Sequence, residues 1–379
     1  MDRSKQLRMT GFIAFFLSGI SAISSGVIVS ILQEIYGFSF GVTGTLLALM
    51  SVGNMAASFL TGMLPSKIGT RNTVLILCLG YVLGYGMMTL TGAIPLLMLA
   101  FLMVGLAKGC ALNTCTVLVG NNSPDRTRAM SIMHAFYATG ALICPFVIAA
   151  MRGMGQMLPM IAVAVCGLGV WAVFMSARLP GRAQEAAEKG KIDLSFMKSA
   201  KFWLLTGLVF CQNAAETSVT GWMVTYYKSQ EILSGTLSTY TVTIMWGATL
   251  IARLLIAFVF PIKETFRSLA VMGLGCTALY GAMMFSGTPV MAIVMLFAFA
   301  FAMAGVNPVA VAGTGKQMSA ASMGILLPVA SIGAIVMPWI IGLVADGIGL
   351  QAGMACNLVP CAGIMILSLI IKRMEKKAA

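Results

Sequence analysis

The chain is built from twelve long apolar runs, and that repetition constrains its fold more than any motif does. A helix needs about 20 apolar residues to cross the hydrocarbon core of a bilayer. Runs of that kind occupy residues 10–33, 40–64, 73–92, 95–120, 128–151 and 156–178. After a polar stretch they resume at 202–228, 235–260, 267–286, 289–313, 319–345 and 349–371. Only 9% of the 379 residues are charged and 59% are hydrophobic, against about 25% charged in soluble domains. So little polar surface cannot cover a water-soluble globule. The expected fold is an all-α membrane protein of twelve transmembrane helices in two six-helix bundles: residues 1–178, a linker at 179–201, and residues 202–379. The linker holds the longest charged segment, RAQEAAEKGKID, and suits a short amphipathic helix on the membrane surface.

The net charge of +13 would suit nucleic acid if it were gathered on one patch. Instead it follows topology. With the N-terminus inside, 20 of the 24 lysines and arginines fall on the cytoplasmic side and only Arg152 and Lys228 on the other. Basic residues stay on the cytoplasmic face of membrane proteins. The bias places both termini in the cytoplasm of a cell inner (plasma) membrane, and makes the lipid bilayer, not nucleic acid, the partner of the positive surface. The basic arm Met1–Arg8 precedes an apolar run too long for a cleavable signal core. The nine cysteines are scattered in apolar runs without metal-ligand spacing, so no metal site and no cofactor is expected. Without a nucleophile–base set, a phosphate loop or a second histidine, enzymatic chemistry is not expected.

Two basic residues and one acid fall inside the spans. An ionisable group at the centre of an isolated membrane helix costs at least about 2.5–3.5 kcal/mol, so it usually faces a cavity or a partner. Ten of the eleven acidic residues lie in loops or at span ends; Glu216 lies near mid-depth of the seventh span. Lys108 lies at matching depth in the fourth. They are expected either to bridge the halves as a salt bridge or to mark a midplane site, where transporters bind solute and coupling ion. Gln212, Asn213, Glu216 and Thr220 share one face of a helix by their i, i+4 and i+3 spacing. Asn113 in the fourth span and Asn307 in the tenth extend the polar set. Ser18, Ser21 and Ser25 line one face of the first span, where serines serve close packing as readily as a cavity. Pro308, next to Asn307, removes a backbone donor and frees a carbonyl near mid-span. His134 is the single histidine, in a position that suits packing more than a proton relay. Arg253 in the eighth span is placed to snorkel towards the cytoplasmic interface.

The plan resembles the major facilitator superfamily, with two six-span halves and a central cytoplasmic loop. GMLPSKIGTRN, Gly62 to Asn72, resembles that superfamily's loop motif through Gly62, Leu64, Gly69 and Arg71, with Ser66 where the motif has aspartate. Four segments are similar to the fucose permease-like branch of sugar–proton symporters: SILQEIYGFSFGVTGTLLALMSVG, MHAFYATGALICP, AAETSVTGWMVTYY and SIGAIVMPWIIGLVADGIGLQAG. The resemblance implies a central cavity lined by the first, fourth, seventh and tenth spans, and a monomer. It implies a transporter of a sugar or acidic sugar derivative by proton symport, with Glu216 as proton carrier. The expected solute contacts are Lys108, Asn113, Gln212, Asn213, Thr220, Trp222, Tyr226, Asn307, Ser21, Ser25 and His134. The chain departs from that branch in two places. The first span has no carboxylate within the membrane, and Gly109, beside Lys108, stands where the relatives carry one. Export of a drug-like compound or metabolite by proton antiport, or organic-anion transport, is the competing expectation.

Overall fold

The computed structural model describes residues 3–124, 126–177, 179, 195–259, 262, 264–313 and 320–378. Residues 180–194, with most of the charged linker, lie outside the described residues, as do Arg178, Lys263 and Lys316 of the charge count. Among the described residues every regular element is helical. Backbone polar groups cannot go unpaired in hydrocarbon, and a helix pairs them within one segment. Eleven helices are long and apolar enough to cross a membrane by length and composition. The seventh expected span forms as well, as a helix of 30 residues, Ala200–Ser229, about 45 Å long at 1.5 Å per residue. Its polar face, Gln212 to Thr220, is what keeps it below the hydropathy of the others.

The chain divides into two compact units, residues 1–38 with 45–189, and residues 39–44 with 190–379. The first contains α1 (Arg3–Ile23), α2 (Ser25–Tyr36), most of α3 (Phe40–Met63), α4 (Pro65–Ile68), α5 (Thr70–Leu90), α6 (Ile94–Asn121), α7 (Arg126–Arg152) and α8 (Leu158–Ser176). The second contains α9 (Ala200–Ser229), α10 (Gly235–Thr239), α11 (Thr241–Phe258), α12 (Thr265–Met284), α13 (Pro289–Met303), α14 (Val306–Ala312), α15 (Ala320–Ile348), α16 (Leu350–Ala355) and α17 (Leu358–Ala378). The first turn of α3 belongs to the second unit. There the Gly41 N–H donates to Asp346 Oδ2 at 2.8 Å, so a carboxylate accepts one of the donors that every helix start leaves unpaired.

The two units repeat one packing device. In the first, α7 crosses α1 so closely that a Cβ on Gly140 would stand 2.1 Å from the Phe16 carbonyl oxygen. In the second, α15 crosses α9 with Gly333 at 2.2 Å from the Phe210 carbonyl oxygen. Phe210 follows Phe16 by 194 residues, and Gly333 follows Gly140 by 193. Without a hydrophobic force between helices in lipid, close backbone contact through small residues supplies the packing energy. Outward-facing side chains remain apolar and exposed, among them Leu90, Phe258, Phe285 and Val359. A water-facing surface would not carry so many.

Candidate functional site

Helix α9 begins where the Ser199 hydroxyl accepts the Phe202 N–H, a serine N-cap. From there the i, i+4 rows run straight to the polar face. Gln212 is buried and donates through Nε2 to Glu216 Oε2. Its other amide atom, Oε1, accepts from Asn307 Nδ2 at 2.9 Å. Thr220 donates to the Glu216 carbonyl at 2.8 Å and approaches Met245 Sδ at 3.5 Å. Glu216, Asn307 and Thr220 are half-buried, which leaves the network partly open while its central amide is closed off. Asn213 is half-buried on the next row and makes no hydrogen bond among the described residues.

Asn307 owes its position to a break in its span. The tenth expected span forms as two helices, α13 and α14, separated at Ala304 and Gly305. Pro308 has no N–H to give the carbonyl four residues earlier, which is that of Ala304. Arg253 supplies the donor from α11, with Nε 3.3 Å from the Ala304 oxygen. An arginine expected to reach for the interface therefore holds the carbonyl that the proline frees. Both halves of that pairing were visible in the sequence, in Pro308 and in an intramembrane Arg253. What was not visible is that α11 and α13 pack side by side.

In the first unit the candidates are distributed differently. Lys108 is half-buried on α6. Asn113 donates to the Thr61 hydroxyl at 3.1 Å and the Ser58 hydroxyl at 3.3 Å, both on α3. Ser21 and Ser25 are buried and turn their hydroxyls to the carbonyls of Val163 and Ala22. Ser18 pairs with Tyr81 Oη at 2.7 Å and Ser24 with Tyr85 Oη at 2.8 Å. His134 is exposed on α7 and meets the Phe15 ring edge-on. A cavity of about 340 Å³ lies elsewhere in this unit, lined by Ile31, Glu34, Ile35, Arg152 and Gln156. Glu34 and Arg152 form an ion pair there.

The aromatic candidates of α9 lie in its packed interior. Trp222 is wholly buried and donates to the Pro338 carbonyl at 3.1 Å. Tyr226 is buried with its hydroxyl 3.4 Å from the Met284 carbonyl. Among the described residues no three of His, Cys, Asp and Glu gather as metal ligands, and the nine cysteines are unpaired thiols.

A family model described as Major Facilitator Superfamily matches residues 11–338. The chain belongs to the major facilitator superfamily. No curated protein matches it significantly in sequence. Among solved structures, a variant of the nucleoside transporter NupG superposes with a TM-score of 0.77 at 14% identity, over 98% of this chain and 100% of that one. An inward-facing, unoccupied bacterial homologue of the human lysosomal transporter Spinster also superposes with a TM-score of 0.77, at 13% identity and 98% coverage of each chain. At such identities the likeness is one of fold.

Two sequence features of this superfamily member now have a physical reading. In the loop motif, Ser66 turns its hydroxyl back to the Met63 carbonyl at 2.7 Å, and Arg71 lies 3.4 Å from the Met175 carbonyl. The hydroxyl that replaces the aspartate is thus spent within its own turn. At Gly109, a Cβ would stand 2.5 Å from the Asn54 carbonyl oxygen of α3. No side chain fits there without moving the backbone. The 194-residue repeat also pairs Asn113 with Asn307: the same amide answers α3 in one unit and α9 in the other.

Proposed function

We propose that this superfamily transporter moves a small polar solute, a sugar or an acidic sugar derivative, by proton symport with alternating access. The observation that carries this reading is the Glu216 carboxylate. It is the one acid on an intramembrane polar face, hydrogen-bonded to Gln212 and reached through it by Asn307 on the broken tenth span. A carboxylate is a group that can take up a proton and release it, and that change of charge can accompany solute movement. Asn307, Thr220 and Asn213 offer the hydrogen-bonding groups that a polyol needs. Lys108 supplies the positive charge that an acidic solute would need. Both termini are placed in the cytoplasm by the charge asymmetry, and the protein is taken to act as a monomer. A nucleoside, the solute for which NupG is named, is a sugar derivative and belongs on the solute panel.

The test uses purified protein in sealed vesicles, with sugars, sugar acids and nucleosides offered under an imposed proton gradient. Symport predicts accumulation along the inward proton flow, and Glu216→Gln should abolish that accumulation while sparing solute exchange. Full accumulation by Glu216→Gln, still collapsing with a protonophore, would sink the proposal. Solute movement against the proton flow would replace symport by antiport.

A further inference from the structure

Resting on that reading of Glu216, we propose that Gln212 and Asn307 form an amide relay that reports the protonation state of Glu216 to the break in the tenth span.

An ionised carboxylate only accepts hydrogen bonds, whereas a primary amide has a donating end and an accepting end. With Glu216 ionised, Gln212 must present its NH2 to the carboxylate, which leaves its carbonyl facing the other way. Asn307 must then present its own NH2 to that carbonyl. Both bonds are found in this sense, Gln212 Nε2 to Glu216 Oε2 and Asn307 Nδ2 to Gln212 Oε1 at 2.9 Å.

A proton taken from solution onto Glu216 adds an O–H donor. With that proton on Oε2, the oxygen turned to Gln212, the NH2 of Gln212 faces a donor, while its carbonyl is the better partner for the new O–H. Gln212 is buried, so water is not at hand to relieve the mismatch, and a buried donor left unpaired is unfavourable. Half a turn of the Gln212 amide resolves it. Its carbonyl then accepts from Glu216 and its NH2 faces Asn307, which must turn in step to present its own carbonyl. Each amide keeps its bonds with their direction reversed, and the exposed edge of half-buried Asn307 changes from acceptor to donor. No other proton moves: the one gained by Glu216 stays there until it leaves to solution.

The far end of the relay stands on a segment built to respond. Asn307 lies between Ala304, whose carbonyl is held by Arg253 and not by a backbone N–H, and Pro308. A bond to a side chain can shift where a helix ladder cannot. The other charged groups on elements packed against α9 lie at or near the ends of those elements. On α15, Asp346 accepts from the Gly41 N–H. On α17, Glu375 pairs with Lys201, next to the basic run that starts at Lys372. Lys198 lies in the 3-10 turn that precedes α9. Helices α10, α14 and α16 carry no charged residue.

The experiment follows two signals in the purified full-length protein as pH is varied. One is the infrared carboxyl band of Glu216, assigned by its loss in Glu216→Gln. The other is the side-chain amide resonance of Asn307, assigned by its loss in Asn307→Ser. In the native protein the two should change with one midpoint. In Gln212→Leu the carboxyl band should still titrate while the Asn307 resonance stays still; Gln212→Met, which keeps the side-chain length, serves if the leucine variant does not fold. An Asn307 resonance that follows the carboxyl as before in both Gln212 variants overturns the relay and leaves proton coupling standing. An Asn307 resonance that never moves while Glu216 titrates does the same. A Glu216 band that fails to titrate at all overturns the proton-carrier reading and the relay together.

Discussion

Helices α1 and α9 hold the same place in the repeat, each pressed against a glycine of a later helix, at Phe16 and at Phe210. They use polar side chains in opposite ways. The hydroxyl of Ser18 on α1 and that of Ser24, just beyond its end, close onto Tyr81 and Tyr85 of α5, in buried pairs of neutral groups. Along α9 the positions 194 residues on from Ser18 and Ala22 are Gln212 and Glu216. There the partner is an amide on a broken helix and one member can change its charge. Hydroxyl pairs join two helices without a group that ordinarily changes charge near neutral pH. In the proposed relay, a carboxylate linked through one amide to a second has two arrangements, chosen by a proton. The repeat supplies the scaffold twice, and the carboxylate is on one copy.

That comparison breaks most visibly at Glu216. Glu216→Ala makes α9 match α1, which has Ala22 at this point. Proton-driven accumulation in vesicles should be lost entirely while the protein still inserts and folds. Retained coupling would mean that the working carboxylate lies elsewhere. The shared packing device is tested next. Gly140→Ala and Gly333→Ala each push a Cβ against a backbone carbonyl, and overpacking of this kind costs about 1–3 kcal/mol. Both should lower the melting temperature in detergent by similar amounts. A large loss for one and none for the other would deny that the two crossings are equivalent.

Arg253 tests the special feature of the second unit. Arg253→Leu should destabilise the protein by about 1–3 kcal/mol, because the Ala304 carbonyl loses its donor. Pro308→Ala restores a backbone N–H four residues on, so the same arginine substitution should cost much less in that background. A double-mutant cycle in thermal melts measures the difference, and full additivity would refute the pairing. The smallest effect is expected in the first unit. Tyr85→Phe removes the hydroxyl that meets Ser24 and the Ser21 carbonyl. It should cost about 1 kcal/mol and leave the pH dependence of transport unchanged. A shifted pH profile would show that α1 takes part in coupling after all.

The site was legible in the sequence as far as local geometry reaches. Glu216 stood out because one acid among eleven fell at mid-span, and helical spacing alone aligned it with Gln212 and Thr220. Asn307 and Arg253 were noticed as polar residues in apolar runs, but what they touch was not. Their partners lie 95 and 51 residues away in the chain, and only the packing of α9, α11, α13 and α14 brings them within reach. Trp222 and Tyr226 illustrate the converse. The resemblance offers them as solute contacts, and the fold buries both and gives their polar tips to carbonyls. The serines of the first span had two readings, and Tyr81 and Tyr85 of α5 are the partners that place Ser18 and Ser24 in packing.

Taken alone, the sequence determined that the chain crosses a membrane many times in two similar halves, because the hydrocarbon core demands apolar length and that demand is written residue by residue. It also determined that one half carries an intramembrane acid. The tertiary structure decided what that acid is bonded to, why no side chain fits at Gly109 beside Lys108, and how the carbonyl freed by Pro308 is satisfied. Those are questions of contact between distant helices, and a contact depends on crossing angles and distances that no local pattern records.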